Sequence, residues 1–176
     1  MSIRILIADD EPLQRMDLRD MLTELGYQVI GEVRDGLSAV KKARQERPDV
    51  VIMDIQMPVM DGLSAAEILT RERIAPVVLA TALSDQASIQ RATHAGVVSY
   101  IIKPLRESEI VPTIEMALAR YRAYCRIETA VDALLKELAV LNPSERLHAV
   151  PQKKPQLKEL EHSIAVKHRN HQDSMN

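Results

Sequence analysis

Ile3-Arg4-Ile5-Leu6-Ile7-Ala8-Asp9-Asp10 and Asp49-Val50-Val51-Ile52-Met53-Asp54 read alike: a run of apolar, mostly branched side chains that stops on carboxylates. Pro76-Val77-Val78-Leu79-Ala80-Thr81 and Ser99-Tyr100-Ile101-Ile102-Lys103 repeat the pattern and stop on a hydroxyl and an ammonium. Apolar runs of this length, separated by helical stretches, are strands of a parallel sheet covered on both faces. In such sheets the polar groups beyond the carboxyl ends of the strands converge on one crevice, at the topological switch point. Three carboxylates, a hydroxyl and an ammonium gathered there suit a divalent cation and a phosphoryl group.

Working outward, strands near 3–8, 28–33, 49–54, 76–81 and 98–102 alternate with helical segments near 11–25, 36–46, 63–73, 85–95 and from 106 onward. That alternation is an α/β chain with a doubly wound five-stranded sheet. The first helix carries Leu18, Met21, Leu22 and Leu25 on one face and stops at Gly26; the second ends at Arg47-Pro48. The last helix does not stop where the sheet no longer needs it. From Glu107 to Leu141 there is no glycine, and Ile127, Val131, Leu134, Leu138 and Leu141 keep the four-three spacing of a coiled-coil seam. The chain therefore divides into a domain over 1–122, a helical extension over 123–142 and a tail over 143–176. The tail holds three of the nine prolines and four of the five histidines, with few large apolar side chains. It is expected to be disordered apart from a short helix around 156–168. His148, His162, His168 and His171 lack the spacing of a closed zinc site.

A net charge of −2 carries no basic signature of a nucleic-acid binder, and no Trp, no Phe and four Tyr leave little for base stacking. The single cysteine, Cys125, can form no internal disulfide and fits a reducing compartment, where it reads as a packing residue. No apolar run approaches the roughly 20 residues of a membrane helix, and strand one begins at once. The expected location is the cytoplasm, with no membrane partner.

Ala8-Asp9-Asp10-Glu11, Met53-Asp54-Ile55-Gln56-Met57-Pro58-Val59-Met60-Asp61-Gly62, Ala80-Thr81-Ala82 and Tyr100-Ile101-Ile102-Lys103-Pro104 together resemble the receiver domain of two-component response regulators. The resemblance covers residues 1 to about 122. It implies a flavodoxin-like sheet in the order 2-1-3-4-5, with Asp54 as phosphoacceptor. It also implies Mg²⁺ held by Asp10, Asp54 and the backbone carbonyl of Gln56, with Asp9 acting through a coordinated water. Lys103 and Thr81 would serve the phosphoryl oxygens, as a point charge and a hydroxyl donor. The implied switch is Thr81 drawn to phosphate with Tyr100 turning inward behind it, altering the face of the fourth helix, fifth strand and fifth helix. The implied donor is a sensor histidine kinase or a small phosphodonor. Such a protein is a self-phosphorylating acceptor rather than an enzyme. Residue by residue, blander readings exist: Asp10 as a helix cap, Thr81 as a turn residue, Lys103 as a solvated charge. Met57-Pro58 and Asp61-Gly62 read as loop architecture, and Lys103-Pro104 resembles the family's cis peptide.

Arg15-Met16-Asp17-Leu18, Arg73-Ile74-Ala75-Pro76-Val77-Val78 and Ile110-Val111-Pro112-Thr113-Ile114-Glu115 resemble the ANTAR antitermination branch, whose RNA-binding module follows an extended helix. The extended helix is present, but the module's pattern is not recognisable in 143–176. The leading expectation is a switch whose output is homodimerisation or partner binding through the helix. The alternative is an RNA-binding antiterminator. A phosphatase on a similar sheet would want an acid two residues after its nucleophile, where Gln56 stands.

Overall fold

The computed structural model describes residues 2–82 and 99–140, apart from the side chains at 138 and 140. Strands β1 (Arg4–Ala8), β2 (Gln28–Val33), β3 (Val50–Asp54), β4 (Val77–Thr81) and β5 (Ser99–Ile102) form one parallel sheet in the order β2-β1-β3-β4-β5. Helices α1 (Pro12–Glu24), α2 (Gly36–Glu46) and α3 (Gly62–Arg71) link the first four strands, and α4 (Glu107–Val140) follows β5. This is the doubly wound, flavodoxin-like sheet with an extended last helix that the sequence led us to expect. The helix expected near 85–95 lies outside the described residues, as do the tail helix and its histidines. Helix α4 is thus the fifth helix of the sequence pattern.

Successive strand residues point to opposite faces, so each apolar run serves two cores. Leu6, Ala8, Val51, Met53, Val77 and Leu79 pack with α2 and α3 residues such as Val40, Leu63 and Leu69. Ile5, Ile7, Val50, Ile52, Val78 and Ile101 pack with Leu18 and Leu22 of α1 and Ile110 and Ile114 of α4. Each large side chain buried this way contributes roughly 1.5–3 kcal/mol. Strand β2, at the sheet edge, is only partly covered.

The helix starts are set by local polar chemistry. Asp35 accepts from the Ser38 N–H at 2.7 Å and the Ser38 hydroxyl at 2.8 Å, capping α2. Asp61 caps α3 by accepting from the Ser64 N–H at 2.7 Å, which assigns Asp61-Gly62 to architecture. At α1 the N-cap position is Glu11, without a side-chain cap bond, and Pro12 opens the first turn. Asp10 is therefore not a helix cap. Hydrogen bonds from Ser38, its backbone N–H first, hold the Asp35 carboxyl below its ordinary 3.8. Its stabilisation is present above that value and lost as pH falls through the depressed pKa. Asp35→Ala is expected to cost about 1 kcal/mol in urea melts at neutral pH. That difference should shrink on acidification; a gap that persists at low pH would assign the loss to packing instead.

Ile110, Ile114, Ala117 and Leu118 are the buried residues among the described side chains of α4, and the compact unit around the sheet ends at Ala123. From Tyr124 the helix belongs to a second unit. There Tyr124, Cys125, Ile127, Val131 and Leu134 lie half-buried along one side, while Leu135 is exposed. No described helix is long and apolar enough to cross a membrane.

Candidate functional site

Strand register brings the polar ends together. Ala8 pairs with Met53, Asp54 with Ala80, and Thr81 with Ile102, so Asp9, Asp54, Thr81 and Lys103 each fall within one residue step of the next across four strands. The Lys103 N–H donates to the Thr81 carbonyl at 2.8 Å, extending the ladder into the crevice. The Lys103–Pro104 peptide is cis.

Asp9 is buried and held at every polar atom. Its N–H donates to the Val33 carbonyl at 3.1 Å, and its Oδ1 accepts from the Glu11 N–H at 2.9 Å. Its Oδ2 accepts from Lys103 Nζ at 2.9 Å, and its carbonyl accepts from an Arg15 guanidinium nitrogen at 2.6 Å. Lys103 Nζ also lies 3.1 Å from Asp54 Oδ1, so one ammonium bridges two carboxylates. Burial pushes the Asp54 carboxyl up from its ordinary value; Lys103 pulls it back in part, and the charge of Asp9 adds to the rise. Burial works against the Lys103 charge. The bond to Asp9 and the charge of Asp54 outweigh it and hold the ammonium above its ordinary value.

Asp10 is exposed at the crevice rim, and its carboxylate bonds to no other described residue. One oxygen each from Asp9, Asp10 and Asp54 lies within 4.8 Å of the others, a group among the described residues that could hold a metal ion. In an octahedral Mg²⁺ site, neighbouring oxygens are about 3 Å apart and opposite ones about 4.2 Å. An acidic trio of this span fits such an ion with small side-chain movements.

Thr81 is buried and its hydroxyl donates to the Ala82 carbonyl at 3.2 Å, so it is not bonded to the carboxylates. Tyr100, on the neighbouring strand, is 41% exposed. Gln56 is exposed at the start of the loop after β3. In that loop Val59, 82% exposed, adopts φ 67, and Met60 N–H donates to the Pro58 carbonyl across it at 2.7 Å. A β-branched residue in this backbone region is strained. Pro58 hinted at a turn, but no local signal marked Val59 as its strained centre. Nor did any mark Arg15 as a partner of Asp9, since an arginine in a first helical turn ordinarily reads as a solvated charge.

The response regulator receiver domain model matches residues 5–115. The chain is 43% identical over 151 residues to the transcriptional regulatory protein PdtaR of Mycobacterium tuberculosis, covering 86% of this chain and 74% of that protein. It is 39% identical over 115 residues to the chemotaxis protein CheY of Thermotoga maritima, covering 65% of this chain and 96% of that one. Among solved structures, it matches the receiver domain of the sensor histidine kinase PA1611 from Pseudomonas aeruginosa, which has a magnesium ion coordinated in its active site cleft. The TM-score is 0.61 at 30% identity, over 68% of this chain and 99% of that one.

Proposed function

The chain belongs to the response regulator receiver family, and from that premise we propose that it is a signalling switch phosphorylated on Asp54. The observation that carries this reading is the meeting of three carboxylates, two of them bridged by the Lys103 ammonium. A carboxylate suffices as nucleophile towards phosphorus when charge on the transferring oxygens is neutralised. Lys103 supplies one such charge, and a bound Mg²⁺ supplies more. Asp10, Asp54 and the Gln56 carbonyl would hold the ion directly. Asp9, whose carboxylate oxygens accept from the Glu11 N–H and from Lys103, would act through water, as the resemblance implies. Titrating Mg²⁺ into Asp9→Asn and Asp10→Asn should show the larger loss of affinity in Asp10→Asn. Equal losses would mean the two roles are misassigned.

The donor would be a sensor histidine kinase or a small phosphodonor. Phosphoryl uptake would draw the Thr81 hydroxyl from the Ala82 carbonyl towards the new oxygens, and Tyr100 would turn inward from its exposed position. A few charge-assisted bonds suffice to bias such a two-state element. The change would pass along β5 into α4. We divide the chain accordingly into a receiver over 1–122 and a helical extension over 123–142.

The output of this reading is a homodimer through Ile127, Val131, Leu134, Leu138 and Leu141, of which Leu141 and the Leu138 side chain lie outside the described residues, with transcriptional regulation as its purpose by likeness to PdtaR. Replacing Leu134 and Leu138 with Glu is expected to give a monomer by sedimentation that still accepts phosphate. A double mutant that sediments like the wild type leaves the seam as an ordinary helix face. The branch resemblance favours a second reading, an RNA-binding antiterminator. Hairpin-selective gel shifts at physiological salt would establish it over the dimer-only output.

A further inference from the structure

We infer that Arg15 is a positioning residue of the acidic crevice, setting the Asp9–Asp10 peptide and through it the carboxylate of Asp10. This inference rests on the phosphoacceptor reading and names a residue that reading does not use. Arg15 stands in the first turn of α1, where a cation opposes the helix dipole. Its backbone N–H donates to the Glu11 carbonyl at 3.1 Å, and its guanidinium reaches back further, to the Asp9 carbonyl at 2.6 Å. The side chain is half-buried in doing so. A local rule broken beside a site is where function overrides propensity.

The Asp9 carbonyl belongs to the same peptide plane as the Asp10 nitrogen. Pinning that oxygen fixes the direction in which Asp10 leaves the strand. Asp9 needs no such help for its own carboxylate, which Glu11 and Lys103 already hold. The Asp10 carboxylate has no bond to any described residue, so its aim depends on the peptide before it and on its own rotamer. Arg15 therefore acts on a metal in two opposed ways. Its charge repels a dication, and its hydrogen bond preorganises a ligand. On this inference the hydrogen bond has the larger effect, as is common for outer partners of metal ligands.

The test is Mg²⁺ titration by calorimetry of the full-length chain, of Arg15→Met and of Arg15→Lys, with metal-free thermal melts of each. Arg15→Met is expected to bind Mg²⁺ roughly tenfold more weakly, and Arg15→Lys to recover part of the loss. Labelling by acetyl phosphate should then need more Mg²⁺ in Arg15→Met, yet reach the wild-type rate at saturating metal. Equal or tighter Mg²⁺ binding by Arg15→Met overturns the inference, because the charge then dominates. So does a loss matched by a lower metal-free melting point that Arg15→Lys does not repair, which is general destabilisation. Failure of the wild type itself to bind Mg²⁺ or to label would instead refute the phosphoacceptor reading.

Discussion

Acetyl phosphate with Mg²⁺ is expected to add one phosphoryl group to the wild-type chain and none to Asp54→Asn, read by intact mass. The carboxylate oxygen forms the new O–P bond as the bond from phosphorus to acetate breaks, and an amide at the same position is too weak a nucleophile to replace it. Lys103, 3.1 Å from Asp54 Oδ1, keeps positive charge beside the transferring oxygens. The substitution has a second signature. The Asp54 carboxyl titrates above its ordinary 3.8 because it is buried, so the folded chain binds that proton more tightly than the unfolded one. Stability from this group is present below 3.8 and lost as pH rises through the raised value. Asp54→Asn should therefore melt higher than the metal-free wild type at neutral pH. An unlabelled wild type, or a labelled Asp54→Asn, would remove the acceptor assignment; a mutant that melts lower would contradict the electrostatics alone.

Gly62→Ala is expected to destabilise the chain by about 3 kcal/mol in urea melts, the upper part of the overpacking range. A Cβ on Gly62 would stand 2.0 Å from the Asp54 carbonyl oxygen and 2.9 Å from its carbon, both backbone atoms. Neither can swing aside, and the Gly62 N–H is already tied to the Ile55 carbonyl at 2.9 Å. Whatever fraction folds must displace the acceptor's own peptide, so labelling of Asp54 should slow as well. Gly26 makes the control. It has φ 84 and nothing within 4 Å of an added Cβ, so Gly26→Ala meets only the left-handed backbone penalty, about 1 kcal/mol. Similar losses at the two positions would mean that Gly62 is not confined by the Asp54 backbone.

The sequence by itself determined the strands, the sheet and most of the crevice. Runs such as Val50–Met53 are apolar on both faces, which only a covered strand accommodates, and their polar stops at Asp9, Asp54, Thr81 and Lys103 mark one end of one sheet. Local chemistry was equally legible: Gly26 was read as the stop of the first helix, and α1 ends just before it, with Gly26 at φ 84. What only the tertiary structure decided is how these residues share their bonds. Lys103 could have faced solvent; instead it bridges Asp9 and Asp54, and Asp9 is 94 residues away in sequence. Glu11 rather than Asp10 took the N-cap position, and the Asp10 carboxylate was left without a bond to any other described residue. Arg15 turned back onto the Asp9 carbonyl, and Gly62 came to lie against the Asp54 backbone. Periodicity and capping are encoded over a few residues, so they can be read in order along the chain. Hydrogen-bond partners and close backbone approaches depend on distances between elements, which are set only when the sheet's register and the packing of its helices are in place.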